Sequence, residues 1–140
     1  MQFACRTTIQ APVATVWAIL TDLTGWRDWN STISKTEGAI SLGAKVKVEV
    51  TANPGRAFPV KVTALTAPNQ MVWTGGMPLG LFRGTRTYTL ASVGEGTAFA
   101  MEEVYSGPLA SVITRSIPDL APSFEEFAAC LKARCERAAS

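Results

Sequence analysis

The stretch Ala11-Pro12-Val13-Ala14-Thr15-Val16-Trp17-Ala18-Ile19-Leu20-Thr21-Asp22-Leu23-Thr24-Gly25-Trp26-Arg27-Asp28-Trp29-Asn30 decides how the rest of the chain is read. Pro12 suits the first turn of a helix, where a missing N–H costs nothing. Val13, Val16, Trp17 and Leu20 follow at helical spacing, and Gly25 stops the run. Trp26 and Trp29 stand three apart, so one further helical turn places both on one face. Upstream, Phe3, Cys5 and Ile9 alternate with Arg6, Thr8 and Gln10, the period of a half-buried strand.

From Ile33 onward the pattern changes to strands. Val46, Val48 and Val50 alternate with Lys45, Lys47 and Glu49, which separates an inner from an outer face. Phe58, Val60 and Val62 share a face opposite Lys61, after a turn signal at Asn53-Pro54-Gly55. Ala67-Pro68-Asn69 ends that strand, and Met71 to Thr74 begins another. The run from Gly75 to Gly80, with Pro78, reads as a loop, either a mobile lid or a plain surface turn. Phe82 to Ala91 and Thr97 to Ser106 flank Val93-Gly94-Glu95-Gly96 as a hairpin. Consecutive strands with tight turns make an antiparallel meander.

Helical signals return near the end. Pro108 opens a turn, and Leu109, Val112 and Ile113 supply an apolar face. Ile117 to Pro122 holds two prolines, so a kink or break is expected there. Ser123-Phe124-Glu125-Glu126 fits a capping box, with Ser123 as the cap. Phe124, Phe127, Leu131 and Cys135 then form one stripe, with Glu125, Lys132, Arg134 and Arg137 toward solvent. Asp22, Asp28 and Asp119 read as helix-end residues. The expected class is α+β: a curved antiparallel sheet of about six to seven strands, a long C-terminal helix covering it, and two short helices after the first strand. With 140 residues, the chain is the size of one domain, spanning 1–140.

This order resembles the helix-grip fold of the START-related (SRPBCC) superfamily, in its polyketide cyclase/dehydrase-like branch. The resemblance rests on Ala11-Pro12-Val13 before Val16-Trp17, on Trp26-Arg27-Asp28-Trp29-Asn30, and on Phe82-Arg83-Gly84 opening a strand. Ile117-Pro118-Asp119-Leu120 and Ser123-Phe124-Glu125 extend it to the last helix. Family members often carry proline after the asparagine, where this chain has Ser31. The resemblance implies a cavity between sheet and final helix that holds a lipid, sterol, polyketide or hormone-like ligand.

Composition narrows the chemistry. Apolar residues make up 47% and charged residues 17%, with a net charge of +2 and both signs scattered. No basic stripe of the kind nucleic-acid binding needs is present. The absence of histidine removes the commonest metal ligand and general base. Cys5, Cys130 and Cys135 lack the close spacing of a zinc site, so neither a metal nor another cofactor is called for. No charged-then-apolar leader opens the sequence, and no apolar run nears the ~18 residues of a membrane span. The expected setting is the cytoplasm, with free thiols and no integral membrane association.

The lining that the resemblance implies is drawn from inward strand positions: Val48, Val50, Phe58, Val60, Val62, Trp73, Phe82, Tyr88, Phe99, Met101 and Tyr105. Trp17, Trp29, Ile113, Ile117, Leu120 and Phe124 join it from the helices. Such a lining suits a bulky apolar or aromatic partner oriented by a few polar groups; the same residues can equally fill a solid core. Two residues break the apolar pattern. Arg86 is in phase with Tyr88 and Leu90, and Glu103 with Phe99, Met101 and Tyr105. A hairpin turning around Gly94 puts Arg86 near Met101 and diagonally near Glu103. If inward, the two charges need each other, because an unpaired buried charge costs several kcal/mol; if the strand ends curl outward, both stand in water. Three functions remain open. The first is binding of a hydrophobic small molecule for transport or sequestration. The second is an aromatase/cyclase or dehydratase whose acid–base groups are drawn from Glu103, Arg86, Tyr88 and Tyr105. The third is a co-chaperone-like interaction module.

Overall fold

A computed structural model describes residues 2–52, 55, 57–117 and 119–139. Seven antiparallel strands form one sheet: β1 (Gln2–Ile9), β2 (Ile33–Glu37), β3 (Lys45–Val50), β4 (Ala57–Thr66), β5 (Gln70–Gly76), β6 (Arg83–Val93) and β7 (Gly96–Ser106). Their order is β1-β7-β6-β5-β4-β3-β2, so β2 to β7 form a meander and β1 closes beside β7. Right-handed strand twist curls this sheet into a half-barrel. Helix α1 (Val13–Leu20), a 3-10 turn at Leu23–Gly25 and α2 (Trp26–Trp29) follow β1. Helix α3 (Ala110–Ile113) continues into a 3-10 turn at Thr114–Ser116, and α4 (Ala121–Ala139) crosses the concave side. This is the helix-grip arrangement.

The period-two patterns map directly onto burial. Phe3, Cys5 and Ile9 on β1, Val46 and Val48 on β3, and Val62 on β4 are buried, with Lys45, Lys47 and Lys61 exposed between them. On α4 the buried stripe is Phe124, Phe127, Ala128, Leu131 and Cys135. Phe127 sits at the centre of the core: its ring lies 5.3 Å from Trp26, 5.9 Å from Trp29, 6.0 Å from Tyr88 and 6.1 Å from Phe99. Trp26 is fully buried, stacks on Trp73 at 5.3 Å, and donates its Nε1 hydrogen to the Leu20 carbonyl at 2.9 Å. The tryptophan pair is therefore joined to the sheet by packing. Polar ties hold α4 in place: Ser31 Oγ donates to Glu126 at 2.8 Å, Lys132 Nζ to the Thr8 carbonyl at 2.7 Å, and the Gln10 amide to Glu136 at 2.8 Å. Ser31 thus ties the end of α2 to α4 through its hydroxyl. Burial pushes the Cys5 and Cys135 thiols up to about 11, which keeps both protonated and inert.

Four local expectations change. Helix α4 begins at Ala121, before Ser123, so the capping box does not form. Asp119 Oδ1 instead accepts from the Ala121 amide at 3.0 Å, and Pro122 occupies the first turn, where its missing N–H costs nothing. Strand β5 runs through Gly75 and Gly76, because both pair with β6 at Gly84 and Arg83. Val112 is exposed, since α3 is one short turn that buries none of its residues. The hairpin register differs by two residues: Gly94 adopts φ +60°, Val93 faces Gly96, and Arg86 comes directly opposite Glu103. The expected turn at Asn53-Pro54-Gly55 and the proline of the 117–122 break at Pro118 involve residues outside the described set.

Candidate functional site

The register aligns inward side chains in rows across the sheet. One row runs Phe3, Glu103, Arg86, Trp73, Val62 from β1 to β4. The next, toward the hairpin turn, holds Cys5, Met101, Tyr88 and Met71. The row on the other side holds Tyr105, Gly84 and Gly75. In that last row the two glycines leave the floor bare, and neighbouring side chains lie over it. A Cβ on Gly84 would meet the Tyr105 ring at 3.2 Å, and one on Gly75 would meet Val60 at 3.0 Å and the Pro59 carbonyl at 2.9 Å. Phe82 stacks on the same Tyr105 ring with centroids 5.6 Å apart.

Arg86 and Glu103 turn inward and form a two-point ion pair. Arg86 Nε donates to Glu103 Oε1 at 3.2 Å and Nη2 to Oε2 at 3.3 Å, with side chains 18% and 15% exposed. Tyr105 donates its hydroxyl to Glu103 Oε2 at 2.6 Å. The guanidinium also lies 4.8 Å above the Phe124 ring, a cation–π placement. Burial by itself would raise the Glu103 carboxyl, but the Arg86 charge and the Tyr105 hydroxyl outweigh it and hold the group below the usual carboxylate range. Burial likewise disfavours charge on Arg86, and the adjacent Glu103 carboxylate keeps it protonated. Tyr88, fully buried, is pushed up to about 12 by burial, and Tyr105 is raised by burial and by the Glu103 charge.

The chain has two tyrosines, so their titration reads this site alone. The ultraviolet phenolate signal is expected to stay flat through pH 10 and to rise only toward about 12 or on alkaline unfolding. An inflection near pH 10 in the folded protein would place one tyrosine in water.

The interior is mostly filled. Val48, Val62, Trp73, Tyr88, Phe99, Met101 and Phe124 are buried in one continuous core with Trp26 and Phe127. What remains beside Arg86 is a cavity of about 40 Å³, lined by Thr32, Val50, Ala52, Arg86, Met101, Leu120, Ser123, Phe124 and Phe127. That volume holds water, whereas pockets for small molecules run to roughly 300–1,000 Å³. Toward the Gly84 end the packing loosens: Val50, Phe58, Val60, Phe82, Tyr105, Ile113, Ile117 and Leu120 are all half-buried. Trp29 packs on Trp26 and Phe127. Trp17 lies on α1, which packs against α4 and the β6–β7 hairpin, and whose first residues border Gly94 and Gly96 at the hairpin turn. It is therefore placed away from the Arg86 row. Two residues absent from the expected lining matter here. Phe3 meets the Tyr105 ring edge-on at 6.3 Å and Phe124 at 5.8 Å, and Trp26 anchors the aromatic cluster. The alternation of β1 already put Phe3 inward; which residue it would face depended on long-range pairing.

Three buried polar atoms among the described residues have no hydrogen-bond partner: Asn30 Nδ2, Trp73 Nε1 and the Tyr88 hydroxyl. Asn30 uses its other amide atom, Oδ1, to accept from the Thr32 amide at 3.0 Å and the Thr32 hydroxyl at 2.6 Å. Among the same residues no helix is long and apolar enough to cross a membrane, and no group of three metal-ligating side chains is present.

Comparison with known proteins places this architecture. No curated protein matches the chain. Among solved structures, TTHA0849 from Thermus thermophilus is 19% identical, covering 100% of both chains, with a TM-score of 0.74. A START superfamily protein from Mycobacterium smegmatis is 14% identical over 98% of each chain, with a TM-score of 0.73. The hypothetical protein jhp0584 from Helicobacter pylori is 12% identical, covering 96% of this chain and 88% of its own, with a TM-score of 0.76. At these identities the likeness is one of fold. The family described as "Polyketide cyclase / dehydrase and lipid transport" matches residues 2–136. With nearly its whole length matched and its helix-grip fold on view, the chain belongs to the polyketide cyclase/dehydrase and lipid transport family.

Proposed function

We propose that this protein binds an apolar or aromatic small molecule at the Gly84 end of its concave face, between the sheet and the α3–α4 segment, and carries or sequesters it in the cytoplasm. The observation that carries this reading is the change along the sheet. A tightly packed aromatic core at Phe127 gives way to a half-buried apolar belt around one half-buried ion pair and a glycine floor. A ligand enters by displacing Leu120 and Ile117, which stand beside the break before α4 and cost less to move than the core. Its innermost atoms would reach the cavity of about 40 Å³ beside Arg86, which supports this reading.

The ionisation states favour binding over acid–base catalysis. A carboxyl held below its usual range and locked between Arg86 and Tyr105 is neither a proton donor near neutrality nor a strong base. Both tyrosines keep their protons, and Tyr105 spends its own on Glu103. The cyclase or dehydratase reading needs a group poised to exchange a proton, and these groups are not so poised.

The test is a fluorescence titration with the uncharged probe N-phenyl-1-naphthylamine. Saturable enhancement is expected for the wild-type protein, and at least a tenfold loss of affinity for Leu120→Trp, whose larger ring fills the mouth. Equal enhancement in both proteins, or none in either, contradicts the site.

A further inference from the structure

Met77, Leu79, Leu81 and Val112 are large apolar side chains left in water, and two adjoining segments carry all four. Strand β5 ends at Gly76, and Gly76-Met77-Pro78-Leu79-Gly80-Leu81 is exposed throughout and uncharged. Beside it Gly107 and Pro108 are exposed, and Val112 stands out from α3. The segments are locked together. The Leu109 amide donates to the Leu81 carbonyl at 2.9 Å, and the Met77 amide closes the loop onto the Phe82 carbonyl at 2.9 Å. Gly107, at φ +104°, lies so close to the Gly80 and Leu81 carbonyls that a Cβ would meet them at 2.8 and 2.7 Å. At the tip, Leu79 is 96% exposed and adopts φ +62°, a left-handed conformation that a leucine rarely enters. Neither packing nor backbone preference accounts for a leucine there. A partner that takes its side chain out of water does.

Shape and charge select the partner. A stable protein partner takes about 800 Å² from each side, more than a single protruding turn presents. A bilayer surface needs no matching shape, and it holds a protein by buried apolar side chains together with cationic contacts to anionic lipids. The charges flanking the tip have that sign. Arg83, at the base of the loop, and Arg115, just beyond α3, are exposed. No Asp or Glu occurs between 71 and 94 or between 104 and 118. Glu103 is paired with Arg86, and Asp119, beyond Arg115, accepts from the Ala121 amide.

We propose that residues 76–83 and 107–115 form a membrane-docking surface. Met77, Leu79, Leu81 and Val112 enter the interfacial layer of a bilayer, while Arg83 and Arg115 meet the headgroups of anionic lipids. The surface lies beside the Gly84 end of the concave face and does not depend on a ligand site there.

Flotation with vesicles tests this, using phosphatidylcholine alone and a roughly 7:3 mixture of phosphatidylcholine and phosphatidylglycerol. The wild-type protein is expected to float with the mixed vesicles and to bind about tenfold more weakly to phosphatidylcholine alone, or in high salt. Leu79→Asp is expected to weaken binding to the mixed vesicles by about tenfold or more. Leu79→Gly, which suits the left-handed backbone and so keeps the loop's shape, should weaken it by a similar factor. Leu42→Ser, at an exposed leucine on the β2–β3 turn at the opposite end of the strands, should leave binding unchanged. Absence of binding to the mixed vesicles overturns the proposal, as does undiminished binding by Leu79→Gly. Equal binding to both kinds of vesicle overturns the role of Arg83 and Arg115. A wild-type dimer in light scattering that Leu79→Asp turns into a monomer assigns the surface to a second copy of the chain and overturns the membrane reading.

Discussion

Phe127→Ala is expected to lower stability by about 3–5 kcal/mol, the range for removing a large aromatic from a core that cannot collapse around the space. The size follows from position. Phe127 projects from the middle of α4 into a cluster with Trp26, Trp29, Tyr88 and Phe99, which brings α2, β6 and β7 to one point. Those neighbours are held by sheet pairing and by the Trp26 bond to the Leu20 carbonyl, so they relax only partly. Urea unfolding measures it: the midpoint falls while the slope against denaturant stays the same. Val112→Ala, on the exposed side of α3, is the control and should change stability by less than about 0.5 kcal/mol. A loss below about 1 kcal/mol for Phe127→Ala would mean that α4 does not seal the concave face.

The second large effect is expected at Glu103. Glu103→Gln breaks the two-point pair and leaves Arg86 charged, with its side chain only 18% exposed. Removing one partner of a buried ion pair typically costs ~3–5 kcal/mol; some solvent access here puts the expected loss at about 2–3 kcal/mol. Replacing both partners by apolar residues, as in the Arg86→Met and Glu103→Leu double variant, should restore most of that loss. The pH dependence has a definite sign. The folded-state carboxyl lies below its ordinary value of 4.5, so its contribution is fully present above pH 4.5 and fades as pH falls through the lower folded value. The stability gap between wild type and Glu103→Gln should therefore be constant from neutrality down to about pH 5 and should narrow below 4.5. A gap that widens on acidification would mean that Glu103 is not held ionised by Arg86.

The strands were legible because a two-residue period needs no knowledge of what lies across the sheet. Val46, Val48 and Val62 declare their face against Lys45, Lys47 and Lys61 whatever their partners are. The stripe on α4 was legible for the same local reason. What local pattern could not settle was closure. The β6–β7 register depends on the positive φ at Gly94, and a shift of two keeps every side chain on its face while changing its neighbour. Arg86 and Glu103 were therefore readable as in phase with the inward residues, with an outward curl equally open to the pattern, and not as direct opposites. The start of α4 was misread because Ser123 and Asp119 are both good caps, and Pro122, welcome only in a first turn, decides between them. The roles of Phe3 and Trp26 depend on contacts with residues far along the chain, Tyr105 and Phe124 for one and Trp73 and Phe127 for the other. Alternation also cannot separate a lined hollow from a filled core, because both need the same apolar residues facing inward. Val48, Val62, Trp73, Tyr88, Phe99, Met101 and Phe124 are buried core, whereas the other inward candidates, most of them near Gly84, are half-buried.

The most direct test of a ligand site at that end is the amide spectrum of isotopically labelled protein, recorded by NMR as N-phenyl-1-naphthylamine is added. The predicted result is a set of saturable shifts concentrated at Gly84, Glu103, Tyr105, Leu120 and Phe124, with Gly94, Gly96 and Val13 at the hairpin-turn end unmoved. Shifts centred on the hairpin-turn end, or none at saturating probe, would contradict a ligand site at the Arg86 row.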